Sequence, residues 1–156
     1  MSKLVDRQTS NQTSPFAAFS RDDELGVEKR LEGGSRILVV EDDFLVASEM
    51  EMALQAAGYT VVGVAASADE AVALGQTARP DLAIIDIRLH GTRDGVDAAL
   101  VLFRDHTIPC IFATAHADEA VRARAAAASP RGWLQKPYTM PMLIEVVRRA
   151  FAQTHG

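Results

Sequence analysis

Four short stretches of this chain carry residue types suited to phosphate chemistry, and each stands directly after a short, mostly apolar run. Glu41-Asp42-Asp43 follows Ile37–Val40, and Asp86 follows Leu82–Ile85. Thr114-Ala115 follows Cys110–Ala113, and Lys136-Pro137 follows Gly132–Gln135. Carboxylates gathered within a few ångströms repel one another unless a cation neutralises them. Lys136 supplies one positive charge, too little for such a cluster. Hard oxygen ligands completed by phosphate describe a Mg²⁺ site, with Mn²⁺ a possible substitute. A carboxylate beside Mg²⁺ can attack a phosphoryl group and form an acyl phosphate. The phosphoryl oxygens then need a cation, an ammonium, and hydroxyl or backbone donors. Mg²⁺, Lys136, Thr114 and the backbone N–H groups near Arg88 and Ala115 could fill those roles.

The elements that must bring these residues together alternate along the chain. Ile37-Leu38-Val39-Val40 is wholly apolar, as in a strand covered on both faces. Phe44 to Ala57 has helical spacing (Phe44, Leu45, Ala47, Ser48, Met52, Leu54) and stops at Gly58, a left-handed cap. Tyr59 to Ala65 reads as the second strand. Ser67-Ala68-Asp69-Glu70 is a capping box opening a helix to about Ala78. Arg79-Pro80 breaks it before the third strand, Leu82 to Ile85. A polar loop, Arg88 to Asp94, leads to a helix from about Gly95 to Arg104. Pro109 introduces the fourth strand, Cys110 to Ala113. Asp118 caps an alanine-rich helix to about Ala128, Ser129-Pro130 ends it, and Gly132 to Gln135 is the fifth strand. Thr139 starts the last helix, to about Gln153. Strand then helix, five times, predicts an α/β domain with a doubly wound, five-stranded parallel sheet. Ligands of such sheets bind outside the carboxyl ends of the strands, where all four polar stretches stand. With strand order 2-1-3-4-5 the four are neighbours, and the bare second strand lies at the edge.

Residues 35 to 153 resemble the receiver domain of two-component response regulators in these four strand ends and their order. The resemblance implies a flavodoxin-like fold with strand order 2-1-3-4-5. It implies Asp86 as the phospho-acceptor, fed by a sensor histidine kinase or a histidine phosphotransfer protein. Asp42 and Asp86 would bind Mg²⁺ directly, Glu41 through water, and the backbone carbonyl of Arg88 would complete the protein ligands. Thr114 would be the hydroxyl that moves onto the phosphoryl group. Lys136 would pair with that group, with a cis bond to Pro137. Asp43 is better used as a helix cap than as a ligand.

Other positions bear on how long the phosphoryl group lasts and how it is read. Arg88 and His116 stand two residues past Asp86 and Thr114, where receivers flank the path of the hydrolytic water; Arg88 is expected to shield the acyl phosphate. Trp133 occupies the position where receivers usually carry a Tyr or Phe that turns inward, and its bulk equally suits plain packing on the last two helices. Phe112-Ala113-Thr114 resembles the start of a Phe-Ala-Thr-Gly-x-Tyr motif of one receiver subgroup, from which Ala115-His116-Ala117 departs. His90, His106 and His155 have no metal spacing and receive no role.

Composition limits the partners. The formal net charge of -5 argues against direct nucleic-acid binding, which needs a basic face. No apolar stretch approaches the ~20 residues that span a bilayer, so no membrane partner is expected. Cys110, the single cysteine, suits a reduced, buried thiol in a cytoplasmic protein. Residues 1 to about 34 read as a flexible tail, polar from Gln8 to Ser14 and charged from Arg21 to Glu32, with a short helix possible over Asp22 to Leu31. An arm through Phe16 and Phe19 is a further expectation for this segment. The remainder, 35 to 156, reads as one receiver domain with no room for an output domain after the last helix. Its expected output is contact with a downstream protein target through the fourth helix, fifth strand and fifth helix, including Trp133, Tyr138, Met140 and Met142; that face could also form a homodimer. A phosphate sink or relay is the alternative. An aspartyl-phosphate phosphohydrolase of the haloacid-dehalogenase type fits less well, because it needs an Asp where Arg88 stands. The chain is therefore expected to be a signalling module rather than an enzyme.

Overall fold

The computed structural model describes residues 34–153. The expectations placed on the tail, including the Asp22–Leu31 helix and the Phe16/Phe19 arm, lie outside those residues. The described chain runs β1 Arg36–Val40, α1 Phe44–Ala56, β2 Thr60–Ala65, α2 Ala68–Ala78, β3 Leu82–Asp86, α3 Gly95–His106, β4 Cys110–Thr114, α4 Glu119–Ala125, β5 Gly132–Gln135 and α5 Met140–Ala152. The five strands form one sheet in the order β2-β1-β3-β4-β5, every pair parallel. This is the doubly wound, flavodoxin-like arrangement expected from the sequence.

The strand pleat explains why the strands are apolar throughout. Successive side chains point to opposite faces, and both faces are covered. Leu38, Val40, Ala83, Ile85 and Phe112 face α2, α3 and α4, packing with Ala71, Val96, Leu102 and Ala125. Ile37, Val39, Leu82, Ile84 and Ile111 face α1 and α5, packing with Met50, Leu54, Leu143 and Val147. The two edge strands are the exceptions, with only Ala65 of β2 and Leu134 of β5 buried.

Helix starts follow local side-chain chemistry. Asp43 accepts from the amides of Leu45 and Val46, as a cap should. Ser67 accepts from the Glu70 amide, but the Glu70 carboxylate takes the N–H of Ala66 rather than of Ser67, so the expected box is shifted by one residue. The true reciprocal box lies in the loop before α3, where Asp94 and Asp97 cap each other's amides. α3 also runs on to His106, past the expected Arg104. Two further readings are corrected. The α1 apolar stripe is Ala47, Met50 and Leu54; Phe44, Leu45 and Met52 are 80%, 75% and 69% exposed. The alanine-rich helix is α-helical only to Ala125, then tightens to a 3₁₀ turn over Ala126–Ala128 and stops at Ser129 with φ 46°. A run of alanines offers little side-chain surface to hold the last turn in place.

Two glycines set close approaches. A Cβ on Gly75 would sit 2.2 Å from Leu102 Cδ2, so α2 and α3 touch there. A Cβ on Gly95 would sit 2.1 Å from the backbone carbonyl oxygen of Asp86, and the Gly95 amide donates to the Ile87 carbonyl at 2.8 Å. The start of α3 is therefore pressed against the end of β3.

Candidate functional site

β1, β3, β4 and β5 are adjacent and parallel, so their carboxyl ends open at one edge of the sheet. Asp86 is the last residue of β3 and is 7% exposed. Glu41, directly after β1, is 4% exposed, and its amide is fixed by the Ala65 carbonyl of β2 at 2.9 Å. Lys136, directly after β5, is held by its own amide on the Thr114 carbonyl at 2.9 Å. Its Nζ lies 3.0 Å from Asp86 Oδ2 and 3.6 Å from Glu41 Oε1. The Lys136–Pro137 bond is cis, as the resemblance implies. On the other side of Asp86, Oδ1 accepts the Arg88 amide at 3.1 Å. The acceptor carboxylate is thus gripped at both oxygens, and its strand end cannot swing.

The electrostatics leave this cluster short of positive charge. Burial pushes the Glu41 carboxyl up from 4.5 to about 7, and the hydrogen bond and charge of Asp86 push the same way; Lys136 and the Asp43 amide offset only part of it. Burial would lower the Lys136 ammonium, but the hydrogen bond to Asp86 and the charges of Asp86 and Glu41 outweigh that and raise it. One lysine therefore stays charged between two buried carboxylates, and Glu41 holds its proton near neutrality for want of a second cation. Asp42, half-buried, adds a third carboxylate: oxygens of Glu41, Asp42 and Asp86 lie within 4.8 Å of one another. All-oxygen donors at that spacing, opened at one side, fit a Mg²⁺ ion, whose ligands sit ~2.1 Å from the metal in an octahedron.

The remaining expected residues fall as follows. Thr114 ends β4 and is buried, but its hydroxyl is engaged in the loop: Oγ1 donates to the His116 carbonyl at 3.0 Å and accepts the His116 amide at 3.2 Å. Ala115, His116 and Arg88 are exposed at the rim. Trp133 is half-buried, stacked at a tilt on Phe112 with ring centroids 5.1 Å apart, with the Arg122 guanidinium 4.4 Å above it. Of the expected reader face, Met142 is exposed, whereas Tyr138 and Met140 pack on the α1–α5 side of the core, with the Tyr138 hydroxyl on Met50 Sδ at 3.6 Å. Cys110 is buried, and burial pushes its thiol up to about 12, so it is inert.

Two contacts had no forecast. His90 Nδ1 meets Asp42 Oδ2, although His90 itself is exposed. Its only sequence signal was membership of the loop that follows Asp86. Arg124 of α4 bonds Asp94 and, at 3.4 Å, Asp97, tying α4 to the cap of α3. Two basic residues in a seven-residue helix gave no hint which one would reach across.

Residues 37–148 match the family model of the response regulator receiver domain. The transcriptional regulatory protein PdtaR of Mycobacterium tuberculosis is 32% identical over 118 residues, 76% of this chain and 57% of that protein. The phyllosphere-induced regulator PhyR of Methylorubrum extorquens is 36% identical over 95 residues, 60% of this chain and 36% of that protein. The chain therefore spans little more than half the length of one relative and about a third of the other. The crystal structure of the signal receiver domain of a modulated diguanylate cyclase from Desulfovibrio desulfuricans superposes with a TM-score of 0.70 at 36% identity, covering 76% of this chain and 94% of that one.

Proposed function

This chain belongs to the response regulator receiver domain family, and from that premise we propose that it is a phosphorylation-driven switch whose acceptor is Asp86. The donor is the phosphohistidine of a sensor histidine kinase or of a histidine phosphotransfer protein. A carboxylate oxygen of Asp86 forms the new O–P bond as the P–N bond to the donor imidazole breaks, and the imidazole takes a proton from solvent. The observation that carries this reading is the set of contacts on Asp86. It is buried, paired with Lys136 at 3.0 Å, backed by Glu41 and Asp42, and held in place by the Arg88 amide.

The other groups divide the work. Asp42 and Asp86 would hold Mg²⁺ directly, Glu41 through water, with the Arg88 carbonyl as the last protein ligand. Bound there, the ion would supply Lewis-acid charge to the phosphoryl oxygens. Lys136, already between the two buried carboxylates, is placed to pair with the transferred group. Thr114 must leave His116 to donate its hydroxyl there, which makes the β4–α4 loop the part that responds to phosphorylation. The Arg88 side chain and His116, both at the rim, would tune the life of the acyl phosphate.

The module changes protein–protein contacts rather than turning over a substrate. Arg88 stands where a phosphohydrolase would need its acid/base Asp, two residues past the nucleophile. No helix among the described residues is long and apolar enough to cross a membrane, which is compatible with a cytoplasmic site of action. The test is incubation of the full chain with Mg²⁺ and a small phosphodonor, followed by intact mass. Wild type should gain one phosphoryl group, and Asp86→Asn should gain none. Wild type left unmodified by both donor and kinase would sink the proposal.

A further inference from the structure

We propose that His90 is a further ligand of the acidic pocket, through Nδ1, and that it tilts the site from Mg²⁺ toward transition cations such as Co²⁺, Ni²⁺ and Zn²⁺. The inference rests on the reading of Glu41, Asp42 and Asp86 as a cation site and adds which cation that site selects.

The three carboxylates are not equally partnered. Lys136 reaches Asp86 at 3.0 Å and Glu41 at 3.6 Å, but it makes no ion pair with Asp42. Among the described residues, the Asp42 side chain meets one group, Nδ1 of His90. The cluster therefore has an ammonium on the β5 side and an imidazole on the β3–α3 loop. An ion held by Asp42 lies beside that imidazole. Two neighbouring ligand atoms on one metal, each ~2.1 Å from it, are ~3 Å apart. That separation is also hydrogen-bond range. A nitrogen already in contact with Asp42 Oδ2 can therefore exchange that contact for coordination with little movement.

The loop holds His90 at this place although its side chain is 92% exposed. Before it, the Arg88 amide donates to Asp86 Oδ1 at 3.1 Å, and Leu89 packs against the core. After it, Gly91 turns the chain with φ 111°, a conformation that side chains resist. Arg93 then pairs with Asp69 at 3.0 Å, and the Gly95 amide on the Ile87 carbonyl, at 2.8 Å, closes the loop at its base. The backbone is anchored on both sides, while the exposed imidazole gives up no packing when it turns toward an ion.

Donor chemistry then decides the cation. Mg²⁺ takes oxygen ligands and keeps several waters, so a nitrogen adds nothing to its binding. Imidazole nitrogen suits the later first-row divalent cations, whereas carboxylate and water suit Mg²⁺. An exposed imidazole that merely paired with its nearest carboxylate would affect every divalent cation alike. A ligating one separates them.

The test uses the untagged full chain at about pH 8, where free imidazole is neutral. Mg²⁺ and Co²⁺ affinities are measured by calorimetry, and the Co²⁺-loaded protein is read by proton NMR for paramagnetically shifted imidazole signals. Wild type should show one such set of ring protons. His90→Asn should lose it, and His116→Asn should keep it. His90→Asn should bind Co²⁺ on the order of 10- to 100-fold more weakly, with Mg²⁺ affinity within about two-fold of wild type. Shifted signals that survive His90→Asn, an unchanged Co²⁺ affinity, or an equal loss for Co²⁺ and Mg²⁺ would overturn the role of His90 while leaving the cation site standing. No binding of either cation by wild type, or Asp42→Asn that binds both like wild type, would overturn the cation site and the role of His90 with it.

Discussion

The shortage of positive charge around Glu41 has a measurable thermodynamic signature. Its carboxyl rises from 4.5 to about 7 on folding, first through burial and then through the hydrogen bond and charge of Asp86. A folded state that holds a proton more tightly than the unfolded chain is favoured at low pH, so this contribution is intact below pH 4.5 and is lost as pH climbs through 7. A rise from 4.5 to about 7 corresponds to at most ~3–4 kcal/mol. For a domain of this size that is a fall of roughly 10 °C in melting temperature. Mg²⁺ should reverse the trend because it binds the ionised carboxylate. With Glu41 ionised in only ~3% of molecules near pH 5.5 and in most near pH 8, Mg²⁺ affinity should be ~30-fold weaker at the lower pH. Melting curves across that range, with and without Mg²⁺, and Mg²⁺ titrations followed by Trp133 emission would measure both effects. Glu41→Gln should flatten the metal-free pH slope. A variant that keeps the full wild-type slope, or a Mg²⁺ affinity equal at both pH values, would refute the reasoning.

Other perturbations separate the parts of the site. Lys136→Met leaves Asp86 and Glu41 without their cation; it should cost ~1–3 kcal/mol near pH 8 in metal-free buffer, less in Mg²⁺, as read by urea melts. Gly95→Ala places a Cβ on the Asp86 carbonyl, so it should destabilise by ~1–3 kcal/mol and weaken Mg²⁺ binding measured by calorimetry. Arg124→Ala frees α4 from the Asp94–Asp97 cap, and hydrogen exchange should quicken in α4 and at the start of α3 with β1 and β3 unchanged.

The sheet and the acceptor pocket were legible for one physical reason. The central strands β1 and β3 are buried on both faces and carry apolar runs, so the first carboxylate after each run, Glu41 or Asp86, marks the carboxyl edge, where both meet Lys136 at the end of the edge strand β5. The phase of α1 was not legible. Phe44, Leu45 and Met52 are as apolar as the residues that it buries, and only the tertiary docking of Ala47, Met50 and Leu54 chooses the face. The Thr114–His116 turn, the His90–Asp42 contact and the Arg124 bridge were equally hidden. Each depends on loop geometry or on a long side chain choosing among distant partners, and neither leaves a periodic trace. Arg122 illustrates the same point: it bonds the Ala117 carbonyl and lies 4.4 Å from the Trp133 ring, eleven residues away in sequence.

The central claim is that Asp86 forms the acyl phosphate. Borohydride reduction of the donor-treated protein, followed by peptide mapping, tests it directly, since reduction converts an aspartyl phosphate to homoserine at the modified position. The account predicts homoserine at position 86 alone, dependent on Mg²⁺ and abolished by Lys136→Met. Conversion at another carboxylate, or stable phosphate recovered on His90 or His116 with position 86 intact, would contradict it.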